Sequence, residues 1–147
     1  MKKALKNKEI RRLLQEINKF NGFLKKDKYE IDDDILIINN EPLFFYYENK
    51  LIPSLHLLLK TNTLKKVIVD MGAVKFVVKG ADIMRPGIVK IDEGIEKDEI
   101  ISIIDENYGK PVALGRALLS GKEMQEATSG KVVQNIHYVG DRFWNYH

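Results

Sequence analysis

The sequence has 147 residues, of which 44% are hydrophobic and 31% are charged, the composition of an ordinary globular protein with one domain or two small ones. The absence of cysteine excludes disulfides, thiol catalysis and thiolate metal sites, and no apolar run suits a membrane span or a signal peptide, which predicts a cytoplasmic protein. The net charge is only +3, but residues 1–28 carry ten lysines and arginines against three acids, so attraction for a polyanion is expected there.

An amphipathic helix is predicted first, ending near Asn21-Gly22. Its apolar stripe consists of Ile10, Leu13, Leu14, Ile17 and Phe20. The charged residues on its other face are typical of a solvated surface, and a dedicated anion site is the alternative.

Three consecutive carboxylates, Asp32-Asp33-Asp34, follow a short strand at 29–31. Adjacent carboxylates of one strand cannot converge on one ion, so they predict an acidic turn rather than a metal site. Strands over 35–38 and 43–47 then form a hairpin. Its aromatic residues 44–47 either pack in the core or offer a platform for stacked bases.

A short helix over 54–60 and a polar break at 61–63 complete a small α/β module. We therefore predict one domain over residues 1–62 and a second over 65–144. His56 in the short helix has no second ligand at metal-binding spacing and is predicted to lie at the surface.

Residues 70–80 fit both a strand and a helix. Their valine and phenylalanine content favours a strand, whereas Asp70 as an amino-terminal cap and a closing Gly80 favour a helix of about two turns. In the helix, Lys75 and Lys79 would lie on one face. The remaining chain predicts strands over 67–69, 88–91, 99–104, 111–119 and 131–139, with a capped helix over 120–127. This pattern is typical of a small mixed barrel.

The segment Gly80–Gly87 interrupts these apolar runs. Gly80 can adopt positive φ, and Pro86-Gly87 is a turn dipeptide, so the backbone is fixed and irregular. Either this is a tight turn with Met84 in the core and Arg85 in solvent, or it is a loop that holds a nucleic-acid backbone and stacks on a base.

Catalytic motifs are missing from the sequence. It has no Gly-x-Ser-x-Gly, Walker loop, dinucleotide fingerprint or His-Glu-x-x-His pattern. Its three histidines lie far apart, so a protein that is not an enzyme is expected.

Several stretches resemble a known family. Val69–Ile88, with Val112–Ala117 and Asn135–Trp144, looks like the core of the PUA domain, named from pseudouridine synthase and archaeosine transglycosylase. The Asn-Ile-His-Tyr ending and the upstream Glu41–Phe45 resemble the malignant T-cell-amplified sequence family, and also the amino-terminal part of the ligatin-type initiation factor. We identify the chain as an archaeal-type member.

This resemblance implies an α+β fold, with a small α/β pre-PUA module before a PUA pseudo-barrel of about six strands and two short helices. It also implies that residues 71–79 form the first barrel helix, with Gly80 as its cap. RNA is expected against this helix, the glycine-rich loop and the last long strand. The residues concerned are Lys75, Lys79, Gly80, Ala81, Met84, Arg85, Pro86, Gly87, Lys131, Gln134 and Asn135.

The resemblance therefore implies a non-catalytic protein of the translation apparatus that binds structured RNA (tRNA, small-subunit ribosomal RNA or both), without DNA, membrane or cofactor. The lysines would neutralise phosphates, the glycines would admit the RNA backbone, and Met84 and Pro86 would pack on sugar or base. Two alternatives stay open: an adaptor that docks a translation factor through the first module, and a targeting subunit for an RNA-modification enzyme.

Overall fold

The computed structural model describes residues 1–20 and 22–147 and contains two β-sheets with four α-helices. The predicted helix cap at Asn21 lies outside the described residues. The amino-terminal elements are β1 (Lys3–Ala4), α1 (Asn7–Ile17), β2 (Tyr29–Asp32), β3 (Ile35–Ile38), β4 (Glu41–Tyr47), β5 (Lys50–Pro53) and α2 (Leu55–Lys60). The later elements are β6 (Lys66–Val69), α3 (Met71–Val77), β7 (Ile83–Met84), β8 (Ile88–Ile91), β9 (Ile100–Asp105), β10 (Pro111–Ala117), α4 (Gly121–Glu126) and β11 (Lys131–Tyr138).

The first sheet is an antiparallel meander in which β1 to β5 lie in chain order. The apolar stripe of α1 packs against it through Ile10, Leu13 and Ile17, as the helical spacing predicts. Phe44 and Phe45 are fully buried in the core and offer no stacking platform, whereas Tyr46 and Tyr47 are half-buried. The predicted hairpin corresponds to β3 and β4, and β5, which was not predicted, pairs with β4.

The second sheet contains six strands in the order β7-β11-β10-β9-β6-β8 and curls into a pseudo-barrel. Its strands pair antiparallel except β6 and β9, which run parallel. The segment Arg85–Gly87 forms a 3-10 turn that links the two outer strands β7 and β8. An aliphatic core of valines and isoleucines fills the interior. The predicted six-stranded barrel with two short helices, and with it the α+β class, is confirmed.

The ambiguous segment after β6 is the helix α3. The Asp70 carboxylate accepts a hydrogen bond from the Ala73 N–H at 2.8 Å, which satisfies a backbone donor that a strand would have paired elsewhere. The helix ends at Val77, two residues before the predicted end, and the chain turns at Gly80 with a φ of +97°.

The two sheets meet at an aromatic joint, formed by Phe45, His56, His137, Phe143 and Trp144. Phe45 stacks on Phe143 with ring centroids 4.3 Å apart, and both rings contact His137. His56 stacks on Trp144 with ring centroids 4.4 Å apart and is half-buried, so at the surface it packs in the joint rather than standing free.

His137 is fully buried and hydrogen-bonded on both sides. Its Nε2 accepts the Leu55 N–H at 3.1 Å, so its Nδ1 carries the proton and donates to Asp141 at 2.8 Å. Asp141 also accepts the N–H groups of Tyr138 and Trp144. Burial acts to raise the pKa of Asp141, but these hydrogen bonds, led by that from His137, lower it below its ordinary value.

The acidic turn anchors the carboxy-terminal segment. Asp34 accepts from the Arg142 guanidinium at 2.6 Å, and Asp32 accepts the Tyr146 hydroxyl at 2.6 Å. Burial and this hydrogen bond raise the pKa of Tyr146 to about 12. The turn thus has a structural role, and the limits of the two predicted domains, 1–62 and 65–144, stay a prediction.

Candidate nucleic-acid interface

An open groove lies between α3 and the segment that follows it, with a volume of about 420 Å³. Its walls are mainly apolar and include Ala73, Phe76, Ala81, Met84, Pro86 and Gly87. The Phe76 side chain is 58% exposed and that of Met84 is 50% exposed. Large apolar side chains that stay exposed beside a groove mark a surface suited to binding a flat apolar group. We call this feature the α3 groove.

Two glycines give the groove its shape. Gly80 has a φ of +97°, and a Cβ there would lie 3.2 Å from the ring of Tyr138. A Cβ on Gly87 would lie 2.9 Å from the Cβ of Ala73, so only glycine lets the loop approach α3 this closely. Both glycines are therefore required by the fold of the loop itself.

Two of the predicted cations, Lys75 and Lys131, adjoin residues of the groove wall, and Lys79 follows beyond the end of α3. Lys75 and Lys79 are exposed, and neither has a carboxylate partner within 4 Å among the described residues. The ammonium of Lys75 lies 5.6 Å from the ring centroid of Phe76. Lys131 pairs with Met84 in the ladder between β7 and β11, and its ammonium lies 2.9 Å from the Asp82 carboxylate.

Arg85 is turned toward the protein. Its Nε donates to the Met124 carbonyl at 2.6 Å, and its Nη1 donates to the Ile88 carbonyl at 3.1 Å. The guanidinium therefore ties the 3-10 turn to the end of α4. These two hydrogen bonds give Arg85 a structural role that is independent of any ligand.

The amide side chains of β11 are also used within the fold. Asn135 donates through Nδ2 to the carbonyls of Val77 and Ala81, at 3.0 and 2.9 Å, and so holds the chain where it leaves α3. Gln134 accepts two hydrogen bonds from the Arg116 guanidinium of β10. Both residues therefore have partners within the fold, although the Asn135 Oδ1 has none in the described structure and only the oxygen of Gln134 is engaged.

The groove also contains two carboxylates, Asp70 and Asp82. Asp82 accepts the Asn135 N–H at 2.8 Å. Burial acts to raise the pKa of Asp82, but this hydrogen bond and the ammonium of Lys131 lower it below its ordinary value. None of the described residues that line the groove is a cation. The wall is therefore apolar and acidic, and the positive charge lies around it.

The groove wall contains four of the predicted residues, Ala81, Met84, Pro86 and Gly87. Lys75 and Lys131 each adjoin a residue of the wall, whereas Lys79 is exposed beyond the end of α3. Gly80, Arg85 and Asn135 instead hold the loop beside α3 in shape, and Gln134 binds Arg116 of β10. Sequence reasoning missed Phe76, Ala73 and Asp82. Phe76 carried a usable signal, because it lies off the helical stripe formed by Ala73, Val74 and Val77.

Other chemistry is sparse in the described part of the chain. No group of three or more histidines and carboxylates is placed to hold a metal ion among residues 1–20 and 22–147. None of the described helices combines the length and apolarity needed to cross a lipid bilayer.

Comparison with known proteins gives a consistent result. The family model described as the PUA domain matches residues 65–139. An uncharacterized protein of Methanocaldococcus jannaschii is 42% identical, over 97% of this chain and 94% of its own length. Translation machinery-associated protein 20 of Saccharomyces cerevisiae is 35% identical, over 83% of this chain and 74% of its own.

Solved structures show the same likeness. A hypothetical protein of Pyrococcus horikoshii superposes with a TM-score of 0.81 at 32% identity, over 98% of both chains. A chain of an H/ACA RNP bound to a substrate RNA superposes with a TM-score of 0.53 at 30% identity, over 67% of this chain and 31% of that one. With the groove, the barrel and these relatives in agreement, the chain belongs to the PUA-domain family, in the group that includes translation machinery-associated protein 20 and malignant T-cell-amplified sequence 1.

Proposed function

We propose that this protein is a non-catalytic, cytoplasmic RNA-binding protein of the translation apparatus, which binds tRNA or small-subunit ribosomal RNA through residues 65–144. The observation that carries the proposal is the α3 groove, an exposed apolar cleft beside which Lys75 has no carboxylate within 4 Å in the described residues. The names of the relatives, which refer to the translation machinery, and the RNA-bound neighbour support it.

The distribution of charge suggests how RNA would bind. A phosphate is disfavoured inside the groove, because Asp70 and Asp82 line it and no described lining residue is a cation. An unstacked base suits the groove instead, where Phe76 and Met84 offer apolar surface to its face. The phosphates would then lie outside, against Lys75 and Lys79.

The lysines of α3 provide the test. Replacing Lys75 and Lys79 by Ala removes two phosphate contacts, so we expect affinity for tRNA or small-subunit ribosomal RNA to fall on the order of tenfold. The slope of log K against log salt should flatten by about 1.4–1.8, since each contact contributes about 0.7–0.9. A variant with Lys97 and Lys122 replaced by Ala is the matched control, because these exposed lysines lie outside the groove.

The identity of the RNA follows from crosslinking and sequencing of bound RNA, which separates tRNA, ribosomal RNA and guide RNA. Equal losses in both double variants would contradict a site at α3.

Unchanged binding to the small ribosomal subunit in the variant of Lys75 and Lys79 would favour the adaptor function. That second candidate is supported by a groove of about 280 Å³ beside the first sheet, with Phe20, Phe23 and Leu57 in its wall.

A further inference from the structure

Asp82 occupies a position between the groove and one of its cations. Its Oδ2 lies 2.9 Å from the ammonium of Lys131, and its Oδ1 accepts the Asn135 N–H at 2.8 Å. The same residue lines the α3 groove. One carboxylate therefore holds a lysine beside the site and places negative charge on the wall of the site.

This ion pair is accessible to a competing anion. The side chain of Lys131 is 52% exposed and that of Asp82 is 29% exposed. A pair so exposed is modest in strength, so a phosphate can displace the carboxylate but loses about two- to fivefold in affinity by doing so. Lys75 and Lys79, by contrast, have no carboxylate within 4 Å in the described residues, so for them a phosphate meets no such competitor.

We infer that Asp82 is a specificity-determining residue, which weakens binding to phosphate charge alone and so makes tight binding depend on a base in the groove. This inference rests on the proposed function. A polyanion without bases can gain only phosphate contacts, and at Lys131 it must displace the Asp82 carboxylate. An RNA with an unstacked base gains apolar contacts in the groove as well, which offset that displacement.

The chain offers a closely matched pair of substitutions. Asp82→Asn removes the charge and keeps an oxygen that can accept the Asn135 N–H. Asp70→Asn removes the other carboxylate of the groove, and asparagine is as good a helix cap as aspartate. Asp70 holds no lysine in the described structure, so this control separates loss of charge in the groove from release of Lys131.

The experiment compares the affinity of the full chain for tRNA and for inorganic polyphosphate of similar charge, across a salt series. For Asp82→Asn we expect about two- to fivefold tighter binding of polyphosphate. Its salt slope should steepen by about 0.7–0.9, the contribution of one added phosphate contact. The gain in affinity for tRNA should be smaller, so the ratio of tRNA affinity to polyphosphate affinity falls. Asp70→Asn should leave the salt slope unchanged.

Lys131→Ala completes a double-mutant cycle with Asp82→Asn. The combined variant should lose the gain in polyphosphate affinity, and Lys131→Ala alone should change the wild-type affinity less than twofold, because the lysine is held by Asp82.

A loss of tenfold or more in Lys131→Ala alone would show that Lys131 is already free and would overturn the inference, even if Asp82→Asn proved unstable. An unchanged affinity ratio in a folded Asp82→Asn protein would also overturn it. Failure of the wild-type chain to bind any RNA, with its polyphosphate response as expected, would instead reject the proposed function.

Discussion

The aromatic joint between the sheets and the α3 groove each place a cation next to an aromatic ring. At the joint, the Arg142 guanidinium lies 4.1 Å from the ring centroid of Phe143 and donates to Asp34. At the groove, the Lys75 ammonium lies 5.6 Å from the ring centroid of Phe76 and has no carboxylate within 4 Å in the described residues. A cation and an aromatic ring thus lie together in both regions, but the cation has a carboxylate partner only at the joint.

This difference distinguishes a structural contact from a binding surface. At the joint Phe45 and His137 are buried, the other three rings are half-buried against them, and the histidines have hydrogen-bond partners, so the region stabilises the fold. At the groove Phe76 is 58% exposed, so its apolar surface is hydrated in the free protein, which is unfavourable in free energy. A bound base would cover this surface and remove that cost. We therefore expect substitutions at the joint to change the free energy of unfolding, and substitutions at the groove to change RNA affinity.

The largest effect should come from Phe45 at the joint. Phe45→Ala removes a ring that is 1% exposed and that contacts both Phe143 and His137. We expect a loss of about 3–5 kcal/mol in the free energy of unfolding, the range for a buried phenylalanine truncated to alanine. Chemical denaturation followed by tryptophan fluorescence would measure it, since Trp144 lies in the joint. A loss below about 1 kcal/mol would show that the two sheets hardly depend on this contact.

Asp141 should have an intermediate effect that depends on pH. Asp141→Asn keeps one acceptor oxygen but places an amide donor against either the Trp144 N–H or the donors of His137 and Tyr138, and should cost about 1–3 kcal/mol at neutral pH. A change of tautomer at His137 cannot restore the lost hydrogen bond, because a protonated Nε2 would then point its N–H at the Leu55 N–H.

The sign of the pH dependence follows from the lowered pKa of Asp141. A carboxyl with a lowered folded pKa stabilises the fold above its unfolded pKa of about 3.9, and this contribution is lost as pH falls through the folded value. The difference between wild type and Asp141→Asn in urea denaturation should therefore narrow in acid below about pH 4. A difference that stays constant with pH would contradict the assignment of this carboxylate as ionised at the joint.

Much of this fold follows from local signals in the sequence. Asp70 and Ser120 are found as helix caps, and the stripe of α1 is buried where its spacing predicts. Strand β5 was missed because it has only four residues and ends at Pro53, which is atypical of a strand. Residues 70–80 stayed ambiguous on pattern alone, because β-branched residues carry a strand preference that the cap and the barrel override.

The site was predicted less completely, because its partners come from distant parts of the chain. Arg85 is held by the carbonyl of Met124, 39 residues away, and Asn135 by that of Val77, 58 residues away. Backbone carbonyls leave no trace in side-chain composition, so a basic or polar residue looks free in sequence when the fold has already engaged it. Phe76 was missed for the converse reason, since an apolar residue on a helix is expected in the core.

Phe76 provides the smallest effect on stability and the most direct test of the contrast. Phe76→Ala should change the free energy of unfolding by less than about 0.5 kcal/mol, because its ring is mostly in solvent. RNA affinity should nevertheless fall by about 1 kcal/mol or more, roughly fivefold, since stacking of one base on an aromatic ring contributes about 1–3 kcal/mol. Phe76→Tyr keeps a stacking face and should retain most of the affinity, whereas the salt slope should stay the same in both variants because no phosphate contact is removed. Titration of fluorescently labelled RNA at two salt concentrations, beside denaturation of the same samples, measures all three quantities. If Phe76→Ala unfolded the protein as Phe45→Ala should, its ring would belong to the core and the groove would lose its main apolar contact for a base.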